Sequence, residues 1–72
     1  MIPLMNGEIR ERSTEAARDF VLVTRDRLNA EVAREGEQAT SHRSYQRLQQ
    51  AISQDELSRT WPHADLTLVL AD

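Results

Sequence analysis

Asp65-Leu66-Thr67-Leu68-Val69-Leu70-Ala71-Asp72 is the stretch on which the fold class turns. Leu66, Leu68 and Leu70 alternate with Thr67 and Val69, and Pro62 lies just upstream, so the spacing predicts a strand over 66–70. Leucine and alanine also favour helices, which makes a last helix the competing reading. A lone strand leaves its backbone N–H and C=O groups unpaired, so a strand here needs the N-terminal segment, a second copy or a target peptide beside it. On the alternation, the chain is expected to be a small, mainly α domain with a C-terminal strand, of α+β class.

Working back from the tail, Trp61-Pro62 marks a stop, because the residue before proline avoids the helical region. Ser53-Gln54-Asp55-Glu56 is a capping-box pattern and predicts a short third helix over about 54–60. Tyr45, Leu48 and Ile52 repeat at helical spacing and define a second helix that starts at Thr40 or Ser41. Ile52 to Leu57 breaks that stripe, in agreement with a new helix at Ser53. The longest element is read over 13–35, with Ser13 as its cap. Ala17, Phe20, Val21, Thr24, Leu28 and Val32 lie on one stripe, and Gly36 ends the helix where positive φ is needed. Leu22 and Val23 fall off that stripe, which points to a second contact surface. The expected core is Phe20, Val21, Leu28, Val32, Tyr45, Leu48, Ile52 and Leu57.

Asn6-Gly7 has the composition of a type I′ turn, so Ile2–Met5 and Glu8–Arg12 are expected to form a small N-terminal hairpin. Such a hairpin would supply one neighbour for the 66–70 strand.

A chain of 72 residues is read as a single domain, 1–72. A chain of this size buries only about 60% of the surface its unfolded form exposes, so little material is left to wall a catalytic pocket. There is no cysteine, which removes disulfides and thiolate metal sites. Twelve acids against nine bases give a net charge of −3, which speaks against a general nucleic-acid coat. No apolar run approaches the roughly 18 residues of a membrane span. The N-terminal residues lack the basic and apolar regions of a secretory signal, so a cytoplasmic protein is expected.

Catalytic motifs are missing. Two glycines and no lysine cannot make a phosphate-binding loop, and no Gly-x-Ser-x-Gly elbow is present. His42 and His63 stand far apart, and His63-Ala64-Asp65 is a weak ligand pattern that fits a solvated histidine better than a metal centre. The reading is therefore no enzyme, no cofactor, no metal and no small-molecule substrate. The acid-free stretch Gln38–Gln54 is the most informative local feature. Arg43 and Arg47 stack one turn apart beside His42 and Tyr45. This face either pairs with acids such as Glu31, Glu35 or Glu37, or serves as a recognition helix. Two arginines neutralise few phosphates, so specific DNA binding is expected to be weak or absent. A DNA-binding regulator or antitoxin-like dimer using the 41–52 helix is the alternative function.

All nine basic residues are arginine. In size and in this lysine-free, arginine-rich make-up, the chain resembles the small phage-encoded regulators that bind host RNA polymerase. The resemblance implies binding to a polymerase subunit, inhibited initiation and altered termination, without catalysis or cofactor. The residues expected to grip such a partner are Arg43, Arg47, Trp61, Leu66 and Leu68, with the open edge of the 66–70 strand as a template for strand addition.

Overall fold

The computed structural model describes residues 6–71, and side chains from residue 7 onward. α1 runs over Asn6–Glu35. At 1.5 Å per residue it is about 45 Å long, close to the 50 Å longest extent of the molecule. It is the splint against which the rest is laid. A 3-10 segment, Gly36–Ser41, turns the chain back. Then come α2 (Arg43–Ala51), α3 (Gln54–Thr60) and α4 (Leu66–Val69). Helical structure covers 85% of the described residues, which leaves no strand among them.

The fold is therefore all-α, and the expected α+β class is overturned. Leu66–Val69, read as a strand, is a single helical turn capped by Asp65 in an extended conformation. The reason is the backbone. A strand needs a neighbour, and α1 already holds Glu8–Arg12, the nearest candidate, in helix. The turn satisfies itself instead: the Val69 N–H donates to the Asp65 carbonyl at 3.1 Å, and the Leu70 N–H to the Leu66 carbonyl at 2.9 Å. Helical spacing also serves the core better. Leu66, Val69 and Leu70, at i, i+3 and i+4, pack inward, and Leu68 is left outside.

The N-terminal hairpin fails for a related reason. Asn6-Gly7 is the first part of α1 rather than a turn, and Glu8–Arg12 continues the helix. The other expected arm, Ile2–Met5, lies outside the described residues. α1 thus begins before Ser13. Its C-terminus falls where expected: Gly36 has φ +66°, the one positive φ among the described residues. α2 starts at Arg43 with His42 as its cap, three residues later than Thr40 and two later than Ser41. Ser53 caps α3 as read, its Oγ accepting the Glu56 N–H at 3.3 Å. The reciprocal half of the box is not formed, because Glu56 Oε1 accepts from Arg59 at 3.2 Å. Trp61 ends α3 in a non-helical conformation, φ −128° and ψ 76°.

Ala17, Val21, Leu57 and Val69 form the continuous core, with Ile52, Trp61, Ala64, Leu66 and Leu70 packed around it. Leu28, further along α1, and Ala39, within the 3-10 segment, are also buried. Of the expected core, Val21, Leu28 and Leu57 are buried, Tyr45, Leu48 and Ile52 are half-buried, and Phe20 and Val32 are exposed. Ala17, Ala39 and Val69 take their places. A three-residue clamp fixes the tail to α1. The Thr14 hydroxyl accepts the Asp65 N–H at 2.8 Å and donates to the Arg10 carbonyl at 2.7 Å. Arg10 Nη2 in turn donates to Asp65 Oδ2 at 2.9 Å. That hydrogen bond holds the Asp65 carboxyl below the usual aspartate range.

Candidate partner-binding surface

A groove opens between the C-terminal half of α1 and the start of α2. Arg27, Ala30, Glu31 and Arg34 line it from α1, and Arg43, Ser44, Arg47 and Leu48 from α2. Arg27 and Arg34 are seven residues apart, two turns on one helix face; Arg43 and Arg47 are one turn apart on the other wall. Ala30 and the half-buried Leu48 give the groove an apolar floor.

The charges are unevenly satisfied. Glu31 Oε1 accepts from Arg34 Nη2 at 2.6 Å, and Glu35 lies 3.5 Å from Arg34 Nε. The Glu31 hydrogen bond pushes the Arg34 pKa above its ordinary value. Glu35 also faces His42 Nε2 at 3.7 Å. Of the acids expected to pair with Arg43 and Arg47, Glu31 and Glu35 are thus engaged elsewhere. Among the described residues, Arg27, Arg43 and Arg47 make no ion pair with a carboxylate. Arg43 is the first residue of α2, where a cation opposes the helix dipole. Its position is not one that helix stability selects.

Trp61, Leu66 and Leu68 belong to a different part of the surface. Trp61 is half-buried and stacks at a tilt on Phe20, ring centroids 5.3 Å apart and planes at 53°. Leu66 is packed against the core. Leu68 is 52% exposed and shares a shallow apolar depression with Val21, Leu22, Val69 and Ala71, flanked by Arg18 and Arg25. The five residues expected to form one surface therefore divide: Arg43 and Arg47 line the groove, and Trp61, Leu66 and Leu68 surround the tail. The strand edge proposed for docking does not exist, because 66–69 is helical. Arg27 and Arg34 are the groove residues that sequence reading missed. Their seven-residue spacing was a visible signal, but the face of α1 that meets α2 was not.

His63 is exposed, and its neighbour Asp65 is engaged by Arg10 and by the Thr14 clamp. Among the described residues, no three histidine or carboxylate side chains gather closely enough to hold a metal ion, and no helix is long and apolar enough to cross a membrane. No protein-family model, curated protein or solved structure matches the chain.

Proposed function

We propose that the protein is a small, non-catalytic regulator that works in the host-cell cytoplasm by binding a protein, with host RNA polymerase as the candidate partner, and so inhibits initiation and alters termination. One observation carries the binding role. Phe20, Leu22, Val23, Val32 and Leu68 are exposed, while Val21, Leu28, Leu57 and Val69 are buried and Ile52, Trp61, Leu66 and Leu70 are half-buried around them. Five exposed large apolar side chains among the described residues of so small a chain are surface that gains from being covered. The polymerase assignment rests on the resemblance in size and arginine-only basicity.

Purified polymerase tests it. Immobilised core enzyme and holoenzyme are expected to bind the protein saturably, and promoter-dependent transcription in a purified reaction is expected to fall when it is added. Absence of binding together with unchanged transcript yield removes polymerase as the partner.

A further inference from the structure

The arginine groove has a neighbour on α1 that gives it direction. Ala16, Phe20, Val23, Arg27, Ala30 and Arg34 follow one another at alternating intervals of four and three residues. On a helix that spacing draws a single line along one side. The line is apolar from Ala16 to Val23 and basic from Arg27 to Arg34. Val23, at its middle, is 53% exposed. α2 adds Arg43 and Arg47 beside the basic part and Leu48 at its floor.

We infer that this track is the docking site for an acidic amphipathic helix of the partner protein, its carboxylates over Arg27, Arg34, Arg43 and Arg47 and its apolar side chains on Val23, Ala30 and Leu48. This deepens the reading of the chain as a protein-binding regulator and rests on it. Charge complementarity selects the occupant. The groove holds four arginines and one glutamate, a net +3. The other five arginines and eleven acids carry −6, so the whole chain is −3. A long polyanion such as duplex DNA reaches past the groove and meets that negative remainder. A short acidic segment is confined to the positive part. The apolar line through Val23 is a second reason, because a phosphate backbone has nothing to place on it. Guanidinium groups match carboxylates in pairs of hydrogen bonds, which suits an arginine-only wall.

The test uses the whole chain and three labelled probes in fluorescence anisotropy. They are a synthetic helical peptide with leucines on one face and glutamates along its edge, the same peptide with glutamine for glutamate, and a random-sequence DNA duplex. The glutamate peptide is expected to bind about tenfold more tightly than the glutamine peptide, with affinity falling as salt rises. Arg43→Gln with Arg47→Gln is expected to erase the tenfold preference while the circular-dichroism melt stays put, since Arg43 opposes the α2 dipole. Should that pair alter folding, Val23→Ser keeps the test alive, as it removes exposed apolar surface and is expected to weaken both peptides. The inference is overturned by an unaltered preference in the arginine variant, by duplex DNA binding more tightly than the glutamate peptide, by absence of peptide binding, or by sedimentation showing the groove closed by a second copy. The two readings fail separately. Polymerase bound equally by wild type and the arginine variant sinks the groove but not the regulator. Peptide selectivity without polymerase binding sinks the polymerase assignment but not the groove.

Discussion

Along Thr14–Val21, α1 is covered by Leu57, Val69 and the side chains around them, and the tail is clamped to it by Arg10 and Thr14. Along Arg27–Glu35 the same helix is flanked by α2, which buries none of its own residues. One end of the molecule is closed with apolar contacts, and the other is held by Leu28, Ala39 and half-buried Leu48 and Tyr45, with unpaired arginines between. The difference teaches where a small chain spends its apolar residues. The continuous apolar core is concentrated at the first end, which leaves the second free to carry Arg27, Arg43 and Arg47 without carboxylate partners among the described residues.

The largest effect expected from breaking this contrast is in the core. Leu57 is 0% exposed. Leu57→Ala should cost about 2–5 kcal/mol, much of the roughly 4–10 kcal/mol available to a chain of this size. Leu48, which the periodicity alone places equally deep, is half-buried, and Leu48→Ala should cost about 1 kcal/mol. Urea unfolding of the two variants checks the ranking; equal losses would mean that the two ends are equally consolidated.

A smaller effect is expected at the joint between α1 and the 3-10 segment. Gly36 has φ +66°, and nothing lies within 4 Å of where a Cβ would stand. Gly36→Ala therefore meets no clash and costs only the left-handed backbone, about 1–2 kcal/mol. Hydrogen exchange should show α2 amides opening faster while those around Val21 keep their protection. Uniform acceleration would show that the two ends unfold as one unit.

The smallest effects concern the clamp. Thr14→Val leaves the Asp65 N–H without its acceptor and should cost about 1 kcal/mol. Asp65 adds a pH dependence of known sign. Its pKa is lowered in the folded state, so its contribution is complete above the ordinary aspartate value of about 3.9 and is lost as pH falls through the lower folded value. Thermal melts of wild type and Asp65→Asn should therefore converge in acid. A gap that stays constant down to the lowest pH at which the chain folds would show that Arg10 and Asp65 do not communicate.

Much of the fold was legible wherever a local signal met no tertiary competitor. Gly36 ends α1 because only positive φ reverses the chain there, and Ser53 caps α3 through its own side chain. Of the stripe Ala17, Phe20, Val21, Thr24, Leu28 and Val32, four members are buried, while Phe20 and Val32 are exposed. The tail was misread because Leu66, Leu68 and Leu70 satisfy a two-residue period while Leu66, Val69 and Leu70 satisfy a helical one. Only the lack of a pairing strand among the described residues decides between them, and no local pattern states that. Asp65 before Leu66 was a helix-start signal that carried the right answer. At the groove, Arg43 and Arg47 were singled out from one helix. Their companions Arg27 and Arg34 lie on another, and no local pattern states that the two walls face each other.

The clamp between Arg10, Thr14 and Asp65 joins residues more than fifty positions apart. During synthesis α1 leaves the ribosome before α3 and α4, and its apolar stripe at Ala17 and Val21 waits for Leu57 and then Val69 to cover it. Consolidation of this end thus waits until the segment from Leu57 to Val69 has been made. A chain interrupted before Asp65 still carries the whole arginine groove, yet it lacks the lid over its own core and enters the cell with a sticky flank. A stop codon before Asp65 is therefore a more damaging lesion than its distance from the groove suggests.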